Sequence, residues 1–442
     1  MTPELPAPNS HQLGADMYRL ISDLYPICRS ITGNGFRQTL EIVQKQIPLE
    51  IHEVPSGTQV FDWTVPQEWN IRDAYIKNSK GERVVDFRRS NLHVVSYSGP
   101  VKARMSRAQL IEHLFSDPDH PDWIPYRTSY YNAAWGFCVS HRQLQDLPDG
   151  EYEVLIDSTL EPGHLTYGEC FFKGKIPEEI LLSCHACHPS LCNDNLSGVA
   201  LATFLARHLS SGQHRYSYRF LFIPGTIGSI SWLALNEADV FRIRHGLVLT
   251  GVGDPGRVTY KKSRRGDAEV DRAAAHVLRH SGDEFGIEEF SPYGYDERQY
   301  CSPAFNLPVG CLMRTPHGRY PQYHSSADNL DFVQPAALAD SFRKALAIIA
   351  TLEGNARFLN VHGKGEPQLG RRGLYEAMGG GSEGKARQMA LLWVLNQSDG
   401  SRSLLDIAEQ SNIRFEAIRE AADLLLQHGL LREMAENTQS AV

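Results

Sequence analysis

A chain of 442 residues is too long for one ordinary core, so two or three domains are expected. With 42% hydrophobic and 22% charged residues and a formal net charge of −8, the composition is globular and excludes a general binder of nucleic acid or anionic membrane. No apolar run approaches the roughly 18 residues that cross a bilayer, and the first residues lack the basic and apolar regions of an export signal. Three of the eight cysteines fall within residues 184–192, which is not the spacing of a secreted disulfide framework. A cytoplasmic location with no membrane partner is the expectation.

In chain order, Leu13, Met17, Leu20, Ile21, Leu24 and Ile27 recur at three- and four-residue steps, and a second helix begins over Phe36 to Val43. From about Leu49 short alternating runs are split by turn signals such as Asn78-Ser79-Lys80-Gly81, so residues 49–145 read as an inserted β-rich module. Its dense aromatics, including Trp63, Trp69, Tyr126, Tyr130 and Tyr131, read as core and turn packing, with a substrate-facing wall as the alternative. Residues 1–48 and 146–358 then form the main domain. Tyr152 to Leu160 and Leu165 to Phe172 look like the arms of a hairpin. Short apolar runs at 180–184, 220–223, 247–250 and 309–313 alternate with helical segments at 195–209, 229–238, 267–280 and 335–353. This is an α/β architecture, a mixed and largely parallel sheet sandwiched by helices. Residues 359–384 are Gly-rich and read as a linker. Residues 385–442 give helix, short helix, longer helix and strand, the order of a winged helix. That segment carries six basic and eight acidic residues, so its charge argues against DNA and for docking or dimerisation.

The chemistry concentrates in Cys184-His185-Ala186-Cys187-His188-Pro189-Ser190, followed by Asn193-Asp194-Asn195-Leu196-Ser197-Gly198. The strand 180–183 delivers His185, His188 follows three residues later, and Asp194 opens the next helix, where the helix dipole favours an anion. Imidazole and carboxylate are zinc donors, and a carboxylate with both oxygens available can bridge two ions. Far downstream, Tyr323-His324-Ser325-Ser326-Ala327-Asp328 supplies a third imidazole, with Asp328 a partner for a ligand or a helix cap. Structural roles for single histidines of the 185/188 pair, or a capping role for Asp194, are the competing readings. Cys184-x-x-Cys187 has no second Cys-x-x-Cys to make a zinc ribbon.

Together these motifs resemble the co-catalytic zinc aminopeptidases related to glutaminyl cyclases, and more closely a bacterial aminopeptidase-like branch with an inserted β module and a C-terminal winged helix. The resemblance covers almost the whole chain. It implies zinc, one or two ions, with His185 on one, Asp194 bridging and His324 on the other. It also implies an acidic ligand after the strand 247–252, for which Asp254 is the nearest candidate. The branch places glutamate after the strand ending at Ile223, as general base or ligand, whereas this chain reads Pro224-Gly225-Thr226. Glycine offers neither a proton acceptor nor a ligand. An altered site using another carboxylate, a catalytically inactive protein, or a glycine introduced to trap a complex would each account for it.

If another carboxylate substitutes, Tyr295-Asp296-Glu297-Arg298 is where it should lie: Asp296 and Glu297 as catalytic candidates, with Arg298, Tyr295 and Tyr323 contacting substrate. A solvated charged turn is the competing reading. The expectation is a zinc-dependent, aminopeptidase-like hydrolase of a peptide or an aminoacylated small molecule, using metal-activated water. The alternative is an inactive binding or scaffold protein of the same fold. Homo-oligomerisation is left open.

Overall fold

The computed structural model describes residues 10–374 and 382–434. Its centre is an eight-stranded sheet of β1 (Glu50–Pro55), β2 (His164–Phe172), β3 (Glu179–His185), β4 (Ser217–Ile223), β5 (Ile243–Leu249), β6 (Val258–Lys261), β7 (Phe285–Glu288) and β8 (Val309–Met313). The spatial order is β1-β2-β4-β3-β5-β8-β6-β7. The middle strands β4, β3, β5 and β8 run parallel; β1 and β2 are antiparallel to their neighbours, and β6 is antiparallel to β8 but parallel to β7. Every residue of β3 is buried, which is why its middle, Ile180-Leu181-Leu182, is a continuous apolar run rather than an alternating one. Helices Ser10–Leu24, Asn34–Gln44, Ser197–Leu209 and Ile227–Leu235 supply apolar faces to this unit.

Two boundaries move from those expected. Residues 50–55 pair with β2 in the main sheet, so the insertion begins after them. Conversely, Glu151–Glu161 joins Glu68–Lys77 and Val101–Ser106 in a four-stranded antiparallel sheet with Arg83–Asp86. The expected hairpin over 152–172 is therefore not one: its arms belong to different sheets, and the turn between them hands the chain from one to the other. A Pro-Gly turn between two alternating runs signals a reversal, but not which strands pair across it. Trp69 anchors the inserted sheet, buried, with its indole donating to the Ser98 carbonyl at 2.9 Å.

The described residues divide into two compact units, one of 10–268 with 284–343 and the other of 269–283 with 344–434. In the second unit, helices Ser382–Gln397, Leu404–Ser411 and Phe415–Gln427 accompany a three-stranded sheet in which Arg357–Asn360 lies between Asp399–Ser403 and Leu431–Glu433. The winged helix thus takes its central strand from residues 357–360, upstream of the expected 385 and partly inside the expected linker. Residues 375–381 of that linker, and 435–442, lie outside the described residues. No described helix is long and apolar enough to cross a membrane.

Candidate metal centre

β3 ends in His185 at the carboxyl edge of the parallel strands, the usual location for ligands in such sheets. The segment Cys192–Leu196 then turns sharply before helix Ser197–Leu209. Asn195 holds this turn against two strand ends. Its Nδ2 donates to the His185 carbonyl (3.1 Å) and the Leu249 carbonyl (3.0 Å), and its Oδ1 accepts from the amides of Gly198 and Gly251, both at 3.1 Å. A Cβ on Gly198 would lie 2.4 Å from the Leu249 carbonyl oxygen, so the glycine of the Asn-Leu-Ser-Gly motif is there for close backbone approach.

The fully buried Asp194 carboxylate faces three imidazoles. Oδ1 lies 2.8 Å from His185 Nε2 and 3.6 Å from His188 Nδ1; Oδ2 lies 3.0 Å from His324 Nε2. Donor atoms of His185, His188 and Asp194 all fall within 4.8 Å of one another. Zinc ligands at about 2.0–2.1 Å in a tetrahedron sit roughly 3.3 Å apart, so these separations suit a shared ion. A second observation agrees: His188 Nδ1, Asp194 Oδ2 and His324 Nε2 are buried yet make no hydrogen bond within the protein, although polar neighbours are close. Buried polar atoms are ordinarily paired, and a cation would satisfy all three.

Electrostatics suits the same end. Burial pushes the His188 imidazole down to about 3, leaving a neutral ring with a free lone pair. Burial opposes charge on His185 as well, but the Asp194 hydrogen bond and the negative charges of Asp194, Asp296 and Glu297 together raise the imidazole. Burial also opposes ionisation of Asp194, yet the facing histidines hold its carboxyl well below the usual range. Asp328 takes the partner role expected of it, its carboxylate accepting the amides of Asn193 (2.6 Å) and Asp194 (2.9 Å) and so fixing the ligand loop.

His324 adopts a left-handed backbone, φ 55°. Such a conformation in a non-glycine residue must be held from outside, and the inserted module does so. Tyr126 donates its amide to the His324 carbonyl (2.8 Å), and Ile124 exchanges hydrogen bonds with Ser326 (2.8 and 2.9 Å). The Tyr126 ring stands edge-on to both His188 and His324, 5.2 Å from each. Core packing accounts for Trp69; Tyr126 belongs to the wall of the site.

Asp254, the expected acidic ligand, is elsewhere engaged. Its oxygens accept from the Gly256 amide (2.8 Å), Thr315 Oγ1 (2.6 Å), the Thr315 amide (3.2 Å) and Asn193 Nδ2 (3.1 Å). Those four donors occupy the lone pairs a cation would need. Asp254 is a brace between loops, and His188 instead completes the three-donor group.

Gly225 faces the centre. A Cβ built there lies 3.1 Å from His185 Cβ and 3.5 Å from Asp296 Oδ2. Asp296 is buried; its Oδ1 accepts from Ser229 Oγ at 2.7 Å, while Oδ2, on the Gly225 side, has no hydrogen-bond partner. Burial raises its carboxyl to about 6, with His185 and the Ser229 hydrogen bond acting in the opposite direction. Glu297 is different: Lys261 Nζ binds its Oε1 at 2.8 Å and the Tyr293 carbonyl at 2.7 Å, tying the loop down. Of the two expected carboxylates only Asp296 approaches the glycine gap, and Glu297 is engaged in an ion pair. Tyr295 stacks on His185 (5.1 Å) and Tyr323 on His324 (4.0 Å), while the buried Nε of Arg298 has no partner.

Sequence reasoning missed Arg29, a fully buried cation whose Nε holds the His188 carbonyl at 3.0 Å, and His317, ringed by Tyr293, Tyr295 and Tyr323. Arg29 stands among apolar residues beside Cys28, where an arginine without an acidic neighbour is itself a signal. All eight cysteines are free, and burial pushes the Cys187 thiol up to about 12, against a reactive Cys-x-x-Cys pair.

Known proteins bear on this geometry. Residues 18–355 match the family described as Domain of unknown function (DUF4910), and residues 356–433 match a winged helix-turn-helix family. A Clostridium acetobutylicum protein, 54% identical over 96% of this chain and 98% of its own, carries the provisional name polysaccharide biosynthesis protein with aminopeptidase-like domain. A crystal structure from the same organism, described provisionally as a peptidase, superposes with a TM-score of 0.92 at 52% identity, covering 96% of this chain and 98% of that one. The zinc aminopeptidase of Bacillus subtilis shares the fold at 12% identity and a TM-score of 0.58, covering 79% of this chain and 96% of its own. With the sheet, the winged helix and these likenesses in agreement, the chain belongs to the DUF4910 family, an aminopeptidase-like fold followed by a winged helix-turn-helix domain.

Proposed function

We propose that the protein is a zinc-dependent amide hydrolase, acting on a peptide or an aminoacylated small molecule, with His185, His188 and Asp194 holding the ion and His324 on the far oxygen of Asp194. The observation that carries this is the set of buried, unpartnered donor atoms turned toward one another around Asp194. A bound zinc ion polarises a carbonyl and lowers the pKa of water. The chain's own residues do the rest. Asp296 Oδ2 accepts a proton beside the gap at Gly225, and Ser229 fixes which carboxylate oxygen is free. Tyr126, Tyr295 and Tyr323 exclude water around the imidazoles. The relative's name favours an amide borne by a sugar building block over a general peptide. The cytoplasm is the proposed location and a small molecule the proposed partner.

The test is elemental analysis of purified protein, paired with turnover of aminoacyl-nitroanilide and aminoacyl-sugar panels. Bound zinc near one equivalent, with activity lost on chelation and restored by zinc, is expected. Absence of zinc, cobalt and manganese would exclude the reading. Gly225 supports a second one, an inactive protein that binds the same ligands; bound zinc without turnover of any panel would select it.

A further inference from the structure

His317 lies one aromatic layer out from the metal centre. Its ring centre is 5.0 Å from Tyr295, which stacks on His185, and 6.3 Å from Tyr323, which stacks on His324. It occupies the second position of a tight turn closed by the Arg319 amide and the Pro316 carbonyl at 3.0 Å, with Gly318 next at φ 72°. Such a turn thrusts its side chain outward, yet His317 Nδ1 is buried and has no hydrogen-bond partner. Burial also disfavours the imidazolium, so the ring is neutral. Beside it, 5.3 Å away, stands Tyr293, which is 72% exposed although it is a large aromatic.

The charges around this pair are already used. Lys261 is bound to Glu297 and the Tyr293 carbonyl, and Arg319 to Glu288 at 2.5 Å. A ligand here therefore meets the Tyr293 ring and the uncharged ring of His317, with Lys261 and Arg319 already paired. Saturated rings with uncharged hydroxyls match that chemistry: their C–H faces pack on an aromatic ring while a hydroxyl can bond a neutral imidazole.

We propose that Tyr293 and His317 form a subsite for a hydroxylated ring, the sugar portion of an amide-bearing substrate whose scissile group reaches the His185–Asp194–His324 centre. This rests on the hydrolase reading for its purpose, but not for its test. Chelator-treated protein, which lacks the metal, is titrated with N-acetylglucosamine and, separately, with phenylalanine amide, following ligand saturation-transfer NMR and calorimetry. Saturable sugar binding is expected, weakened about tenfold by Tyr293→Ala and by His317→Ala and retained by Tyr293→Trp. Circular dichroism confirms that the variants are folded; Tyr293, being exposed, can be removed without opening the core. Failure of the wild type to saturate at the solubility limit of the sugar would overturn the proposal. So would equal binding by wild type and both alanine variants, or variants that lose only phenylalanine amide. Sugar binding by a protein that holds no zinc would leave the subsite standing and remove the hydrolase.

Discussion

The two sides of Asp194 are built by different means. On the Oδ1 side, His185, His188 and the carboxylate itself come from residues 185–194, so one strand end and one turn bring three donors together. On the Oδ2 side, His324 arrives from a distant loop in a left-handed conformation that the inserted module holds in place, and two described donors meet there. Beyond it, Gly225 leaves a gap that Asp296 borders from yet another loop. The first side is local and complete, and the second depends on the tertiary fold. Metal affinity should therefore follow residues 185–194, and rate should follow the assembled side.

The sharpest way to break that comparison is Asp194→Ala. It removes the carboxylate that all three imidazoles face, and zinc content should fall to background, read by elemental analysis of folded protein. His324→Ala should leave part of the zinc in place, since the three-donor group survives. Equal loss in both variants would erase the distinction between the sides.

Next in size is Asp296→Asn. With the proton acceptor gone and the donor group intact, kcat should fall about 10²–10⁴-fold while bound zinc is unchanged. The pH dependence has a definite sign. The acceptor must be the carboxylate, and burial raises its protonation to about 6, so wild-type activity should decline as pH falls through about 6 and recover above it. That acid limb should vanish in the asparagine variant. Glu297→Gln should instead act by loosening the loop that Lys261 ties, showing as lowered thermal stability.

Asp328→Asn comes third. Its carboxylate orients the ligand loop by accepting two amides, and an asparagine keeps one such oxygen. Zinc affinity should weaken about 10–100-fold, measured by competition with a chromophoric chelator. The fold would persist, because the contact is confined to the loop.

What could be read from sequence divides along the same line. The donors His185, His188 and Asp194 were legible because strand, turn and helix are short-range patterns that fix one another. The parallel sheet was legible because β3, β4, β5 and β8 each contain a short continuous apolar run. Asp254 was misjudged for the opposite reason: a carboxylate beside a strand end looks like a ligand until its hydrogen-bond donors, Asn193 and Thr315, are brought in by the fold. Likewise, which arm of the 152–172 segment joins which sheet depends on strands far away in the chain. Between Asp296 and Glu297, adjacent residues of one type, only the packing of Lys261 and Ser229 decides.

The smallest expected effect is also the most discriminating, because it asks whether Asp296 has taken over from the missing glutamate. Gly225→Glu places a Cβ 3.1 Å from His185 Cβ, tight enough to require a small shift of that ring. Its carboxylate would enter beside Asp296 Oδ2, and two neighbouring carboxylates resist joint ionisation. In the wild-type background the gain in activity should therefore be modest, about tenfold. Introduced together with Asp296→Asn, the repulsion is absent and the new glutamate is the sole acceptor, so Gly225→Glu should restore at least about tenfold of the lost rate. Restoration in the double variant would mean that one proton-acceptor position has moved between two loops around a fixed metal centre. No gain in either background would mean that the chemistry does not pass through this side of the cleft, and would return weight to the inactive-binder reading.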